Sequence, residues 1–177
     1  MTLTPALQRT VDDFQAMEEQ DRLQLLLEFS DELPELPARY AEHPDLLERV
    51  AECQSPVFLF VEVDGAQADG AQPDGVQPDG AQGDGAQGDG AQGDGAQGGS
   101  AVHVHATAPA ESPTTRGFAS ILAQGLEGAS VDEVLAVPAD MPRLLGLDRA
   151  VSPLRLRGMA GMLGRIQRQV REKSSAA

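Results

Sequence analysis

The chain of 177 residues carries 28 acidic and 13 basic residues, a formal net charge of -15, and 41% of its residues are hydrophobic. This acidic balance argues against nucleic acid as the main partner, because phosphate contacts need concentrated Lys and Arg. No apolar run approaches the roughly 20 residues that a membrane-spanning helix needs, and a lone cysteine excludes an internal disulfide.

The size of the chain favours one domain, 1–177, with a substantial hydrophobic core. Residues 1–10 lack the basic start and the apolar stretch of a signal peptide. A single cysteine suits a reducing compartment. The sequence therefore predicts a cytoplasmic protein.

The first part of the chain predicts helices that lead towards a loop. Thr4 is a good N-cap and is followed by a proline, which predicts a first helix at this point. A second helix is expected from about Glu19 and should end before Pro34. Prolines between residues 34 and 45 indicate an irregular link. Residues 46–50 are then expected to form a short strand or a turn.

Two strand-like segments flank a low-complexity repeat. Residues 57–63 are strongly apolar, and residues 101–106 alternate apolar and polar positions, as strands of a hairpin do. Between them, residues 66–95 repeat a five-residue unit of the type Ala-Gln-Gly-Asp-Gly, which has no apolar face to bury. The sequence predicts a β-hairpin whose turn is expanded by a disordered Gly/Asp/Gln/Ala insertion, residues 66–100.

Helical patterns dominate after the hairpin. Thr114 or Thr115 can cap one helix, and Ser130 opens a capping-box sequence for another. Ser152, followed by a proline, opens the last helix, whose apolar residues recur at intervals of three and four. Glycines at positions 158, 161 and 164 cost helix propensity, so they indicate close packing or a surface that another chain approaches. The fold class is α+β.

Cys53 is the first candidate for chemistry, because it stands between an irregular entry and an apolar strand. Reactive residues concentrate on loops that rigid elements hold in place. The thiolate is the reactive form of cysteine, and Arg49 or a basic residue of the last helix could stabilise it. The alternative is an inert buried cysteine, the commonest state of a free thiol.

A pair of histidines is the second candidate. His103 and His105 alternate with apolar residues, so they share one face of their strand. Such a pair can ligate zinc, with Cys53 or Glu62 as a third ligand. The alternative, which this sparse ligand set favours, is the polar outer face of an edge strand. A weaker signal is the helix start at residues 114–117, which could hold an anion.

The sequence Glu-Cys-Gln-Ser-Pro-Val at residues 52–57 runs directly into a hydrophobic strand. It resembles the active-cysteine segment of the SufE family, the sulfur-accepting partners of cysteine desulfurases in iron–sulfur cluster assembly. Further segments resemble family motifs in the family order. They are Leu-Pro-Glu-Leu at 33–36, Thr-Arg-Gly-Phe at 115–118 and Ser-Pro-Leu-Arg-Leu-Arg-Gly at 152–158. The chain departs from the family in the repeat insertion and in Pro56.

The resemblance implies a small antiparallel sheet of about three strands with helices packed on it, a SufE/NifU-like arrangement with the cysteine on a loop between strands. It also implies that Cys53 carries sulfur as a persulfide, with Gln54 and Ser55 as its neighbours in the loop. Arg155, in the motif that opens the last helix, and Arg116 are the candidates for docking a partner.

The function implied by the resemblance is sulfur transfer by an accessory protein that is not itself an enzyme. A cysteine desulfurase would hand its persulfide sulfur to Cys53 and be stimulated by doing so, and an iron–sulfur scaffold would receive the sulfur next. One thiol suffices, because no resolving thiol is needed, and no metal or organic cofactor is required. The alternative is an iron–sulfur cluster scaffold or metal-binding assembly protein, which usually needs about three or more converging ligands.

Overall fold

The computed structural model describes residues 2–66 and 100–176. Its elements follow one another in the order α1 (Pro5–Ala16), α2 (Glu19–Asp31), α3 (Ala38–Ala41), a 3-10 turn (Pro44–Leu46), β1 (Glu48–Arg49), β2 (Phe58–Val63), β3 (Val102–Thr107), α4 (Pro113–Leu126), α5 (Val131–Ala136), α6 (Met141–Leu144) and α7 (Pro153–Ser174). The predicted disordered insertion lies outside the described residues between 67 and 99.

The predicted helix starts at Thr4, Ser130 and Ser152 are confirmed. The Thr4 hydroxyl accepts a hydrogen bond from the Leu7 amide, 3.1 Å away, and a proline occupies the first turn. Ser130 caps α5 in a complete capping box, and Ser152 caps α7 by accepting from the backbone of the first turn. Each cap satisfies an amide that the helix itself leaves without a partner.

The predicted cap of α4 is wrong by two or three residues. The helix begins at Pro113, with Ser112 at the N-cap position, and not after Thr114 or Thr115. Proline suits the first helical position because its missing N–H needs no partner there. The Ser112 side chain makes no capping hydrogen bond to the helix.

The three strands form an antiparallel sheet in the order β1-β2-β3. The predicted hairpin is confirmed, with a register that runs from Val63 opposite Val102 to Phe58 opposite Thr107. Alternate residues of both strands are buried, as a sheet with one face on a core requires. The α+β fold with a small three-stranded sheet is therefore confirmed.

The stretch at residues 46–50 contains the end of the 3-10 turn and the two-residue strand β1. Because β1 is so short, it pairs only with the start of β2. Further along β2, side chains of α7 take its place at the edge: Gln169 accepts from the Val61 amide at 2.9 Å, and Lys173 donates to the Val61 carbonyl. Covering an edge in this way satisfies backbone groups that would otherwise need another strand.

Helix α4 runs through the centre of the molecule and packs against α1, α2, α7 and β3. Its residues are buried almost continuously from Gly117 to Leu126. Helix α7 also contacts β2, α5 and α6. Within residues 2–66 and 100–176, none of the helices is both long enough and apolar enough to cross a membrane.

Candidate functional site

Cys53 lies in the turn that connects β1 to β2. We call residues 50–57 the Cys53 loop. The Val50 amide donates to the Val57 carbonyl at 2.9 Å, which closes the base of the loop, and the Cys53 amide donates to the Val50 carbonyl at 3.2 Å. The cysteine itself is only 8% exposed. The loop therefore turns its reactive side chain inward rather than towards solvent.

The Cys53 loop rests on the backbone of α7 at two of its glycines. A Cβ atom added at Gly158 would lie 3.1 Å from the Cys53 Sγ, and one added at Gly161 would lie 2.8 Å from the Cβ of Glu52. An added Cβ at Gly164 would meet nothing within 4 Å. Two of the glycines therefore provide the close packing that the sequence indicated, and they provide it for the loop that carries the cysteine.

An ion pair joins the same loop to the next part of α7. The Arg165 guanidinium donates to both carboxylate oxygens of Glu52, from Nε to Oε2 at 2.8 Å and from Nη2 to Oε1 at 3.1 Å. Arg165 also pairs with Glu48 of β1, which in turn contacts Arg168 and Gln169. These residues connect the entry of the loop to α7, and no local sequence pattern indicates that they meet.

A cavity of about 170 Å³ opens beside the cysteine. Gln54 and Ser55 line it from the loop, the start of α4 lines it from a second side, and the first half of α7 lines it from a third. The hydroxyls of Ser55 and Ser112 are hydrogen-bonded at 2.6 Å, which joins the loop to the start of α4. The N-terminal ends of two helices thus border the cavity, and helix N-termini favour negative charge.

Burial raises the pKa of Cys53 to about 11, and the carboxylate of Glu52 adds to this effect while Arg165 opposes it. At neutral pH this leaves about one thiol in 10,000 ionised. Of the bases expected to stabilise the thiolate, Arg165 of the last helix lowers this pKa, and Arg49 is not among its causes. Arg165 does act in the expected direction, but burial outweighs it because a thiolate loses its hydration there.

The two arginines predicted to dock a partner occupy different places. Arg155 is exposed, lines the cavity beside Cys53 and lies 3.5 Å from the Thr114 hydroxyl. Arg116 is not among the residues that line this cavity. Its guanidinium donates to the carbonyls of Ser30 at 2.9 Å and Ala108 at 2.7 Å. The structure therefore brings Arg155, but not Arg116, together with Cys53, Gln54 and Ser55.

The two histidines share one face of β3, as their spacing predicted. His105 is hydrogen-bonded to Glu62 at 2.9 Å, and His103 contacts Glu127 at 2.6 Å and Asp64 at 3.2 Å. None of these contacts involves the cysteine. Within the described ranges, His, Cys, Asp and Glu side chains form no group of three or more that could hold a metal ion. The carboxylate partners fit a polar sheet face with local ion pairs.

Glu62 is the centre of this polar face. Burial by itself would raise the pKa of Glu62, but hydrogen bonds from Tyr40, His105 and Arg39 lower it to about 2. Tyr40 also packs against the ring of Phe60, with centroids 4.7 Å apart. The face is thus held together by a buried tyrosine and a charged carboxylate, which is a stabilising arrangement at neutral pH.

The sequence of the chain is similar to those of known proteins. Residues 8–75 and 94–170 match the SufE family, described as an Fe-S metabolism associated domain. The chain is 43% identical over 171 residues to an uncharacterized SufE-like protein of Mycobacterium tuberculosis (strain ATCC 25618 / H37Rv), a match that covers 97% of this chain and 95% of that protein. It is 39% identical over 62 residues to SufE-like protein 1, chloroplastic/mitochondrial, of Arabidopsis thaliana, which covers 35% of this chain and 17% of that protein.

A solved structure has the same fold. The solution structure of a hypothetical protein from Thermus thermophilus superimposes with a TM-score of 0.70 at 30% sequence identity. The match covers 98% of this chain and 99% of that chain.

Proposed function

The chain belongs to the SufE family, and from this membership we propose that it accepts sulfur on Cys53 from a cysteine desulfurase and passes it to an iron–sulfur cluster scaffold. The protein acts as an accessory sulfur carrier that stimulates the desulfurase and does not catalyse a reaction of its own. The observation that carries the proposal is the placement of the chain's single cysteine beside a cavity that Arg155 also lines.

The proposed reaction is a thiol exchange in which atoms and electrons balance. The Cys53 thiolate attacks the outer sulfur of the desulfurase persulfide, and a new S–S bond forms on Cys53. The S–S bond within the desulfurase persulfide breaks, and the desulfurase cysteine leaves as a thiolate. A single cysteine is enough for this step, because the product is a persulfide rather than an internal disulfide.

The closed loop must open for this reaction to take place. A buried, protonated thiol is a poor nucleophile, because the thiolate is the species that attacks. Once the Sγ atom leaves α7, its pKa falls towards that of an ordinary cysteine. The closed conformation then protects the thiol between transfers, because oxidation of cysteine depends on exposure and on thiolate character.

Arg155 is the residue of the cavity best suited to receive an anion. Its side chain is exposed and, among the described residues, its hydrogen bond is a long 3.5 Å contact with Thr114, so it can turn to a partner at little cost. Together with the N-terminal ends of α4 and α7, it places positive charge where a persulfide anion would form. The reducing cytoplasm is the proposed compartment, since a lone thiol persists there.

Intact-mass spectrometry after incubation with a cysteine desulfurase and cysteine tests the proposal. We expect the protein to gain the mass of one sulfur atom, and we expect Cys53→Ser to gain none, because a hydroxyl cannot carry sulfane sulfur. The protein with Cys53 intact should also increase the turnover rate of the desulfurase, and Cys53→Ser should not. If the protein stays free of added sulfur while the desulfurase is active, Cys53 is not an acceptor.

A further inference from the structure

Glu52 and Arg165 form the main polar connection between the Cys53 loop and α7. The contact is bidentate, with two parallel N–H···O hydrogen bonds between a guanidinium and a carboxylate. This geometry gives the strongest kind of surface ion pair, because both oxygens are held at once. Arg165 is 22% exposed and Glu52 is 44% exposed, so the pair lies at the surface but is sheltered on the arginine side.

Apart from this ion pair, the loop contacts α7 at two glycines, which have no side chains to hold it in place. At Gly158 and Gly161 the loop meets helix backbone, and no side chain of these two residues reaches over it. The base of the loop is closed by hydrogen bonds within its own backbone, and these make no contact with α7. On the other side of Cys53, the Ser55–Ser112 hydrogen bond joins the tip to α4. The ion pair is thus the charged interaction that connects the residue immediately before the cysteine to α7.

We propose that the Glu52–Arg165 ion pair is a clasp that holds the Cys53 loop closed on α7, and that its opening controls how often the sulfur atom is exposed to a reaction partner. This inference rests on the proposed function of Cys53 as the sulfur acceptor. Glu52 and Arg165 are positioning residues in this view, because they act on the position of Cys53 and do not touch the reacting sulfur of the partner.

The clasp can be distinguished from a purely electrostatic effect on the thiol. Glu52 raises the pKa of Cys53 and Arg165 lowers it. If only their charges mattered, neutralising Glu52 would make the thiol more reactive and neutralising Arg165 would make it less reactive. If the pair is a clasp, either neutralisation opens the loop, and both changes make the thiol more reactive. The two accounts therefore differ in the sign of the effect at Arg165.

The experiment measures the rate constant for alkylation of the chain's single cysteine by iodoacetamide at pH 7.5. We expect Glu52→Gln and Arg165→Gln each to raise this rate constant about three- to fivefold, the change given by losing a well-formed surface ion pair. Arg165→Lys keeps the charge but loses the planar fork, so it should also raise the rate constant, though less. Arg171→Gln is the matched control and should leave it unchanged, since Arg171 is an exposed arginine of the same helix and Glu52 pairs with Arg165 instead.

Two results would overturn the clasp: a slower reaction in Arg165→Gln beside a faster one in Glu52→Gln, or unchanged rates in both variants. Urea denaturation of each variant identifies any that fails to fold. If Arg165→Gln fails, the alkylation rate constant of Arg165→Lys is compared instead, because that substitution is more conservative. The measurement needs no desulfurase. Failure of the clasp is therefore distinct from failure of the proposed function, which is judged by the mass gain on the unmodified protein.

Discussion

Replacing Gly161 by alanine, beside the same replacement at Gly164, isolates the close contact between the Cys53 loop and α7. Both glycines lie inside the helix, where alanine is favoured over glycine by about 1 kcal/mol. At Gly164 the new methyl group meets nothing within 4 Å, so Gly164→Ala should raise the free energy of unfolding by about 1 kcal/mol. At Gly161 the methyl group would lie 2.8 Å from both Cβ and Cγ of Glu52, closer than real Cβ contacts.

The Gly161 methyl group must therefore displace the loop or the helix. Overpacking of this kind costs about 1–3 kcal/mol, which cancels or exceeds the gain in helix propensity. We expect Gly161→Ala to be less stable than Gly164→Ala by about 1–3 kcal/mol, because the propensity gain is common to both variants. The Cys53 thiol should also react faster with iodoacetamide in Gly161→Ala, since its loop no longer sits flush on α7.

Urea denaturation followed by circular dichroism provides the free energies, and alkylation provides the exposure of the thiol. The slopes of the two denaturation curves should match that of the unmodified protein, so that a change of midpoint reports stability alone. Equal stabilisation of both variants, with unchanged alkylation, would show that the loop does not rest on the helix at Gly161. The packing argument for the site would then fail.

Other perturbations address the cavity, the thiol, the polar face and the insertion. Arg155→Ala should weaken stimulation of a desulfurase more than Arg171→Ala, which changes an exposed residue outside the cavity. Equal losses of stimulation, when the desulfurase is titrated with each variant, would instead indicate a diffuse charge effect. Alkylation of Cys53 should accelerate about tenfold per pH unit from pH 7 to 10, since its pKa is raised to about 11; a plateau near pH 8.5 would contradict burial. Because the folded pKa of Glu62 is about 2, below its ordinary 4.5, the stability that it contributes is present at neutral pH and lost as the pH falls towards 2. Glu62→Gln should therefore destabilise the protein at pH 7 and hardly at pH 2, as acid-dependent unfolding curves would reveal. Deleting residues 66–100 should preserve folding and sulfur acceptance, because the hairpin strands on either side are already in register; a deletion variant that unfolds would refute the hairpin-expansion account.

Local sequence signals predicted most of the secondary structure. Thr4, Ser130 and Ser152 could be identified as helix caps because a cap depends on a few neighbouring residues and on the hydrogen bonds that they satisfy. The apolar run before the repeat and the alternation after it predicted both strands of the hairpin, because strands that line a core are apolar on the buried face. A search for hydroxyl caps does not find the start of α4, because Ser112 makes no capping hydrogen bond and the helix begins at Pro113, a residue suited to the first helical position.

The motif around Cys53 and its order with three other segments indicated the family, and family membership is confirmed. That evidence is local too, since each motif is a short run of residues. It also identified Arg155 as a candidate for docking a partner, and the structure places this arginine at the cavity. The sequence could not separate Arg155 from Arg116, whose guanidinium donates to the carbonyls of Ser30 in α2 and of Ala108 directly after β3.

What the sequence by itself determined is the class of fold, the identity of the cysteine and the family to which it belongs. Only the tertiary structure decided the state of that cysteine. Glu52 and Arg165 are 113 residues apart in the chain, and nothing in the pattern around either one indicates the other. Whether a thiol is ionised depends on its burial and on the charges around it. Glu52 is next to Cys53 in the sequence, but the burial of the thiol and the charge of Arg165 depend on the packing of α7 beneath the loop.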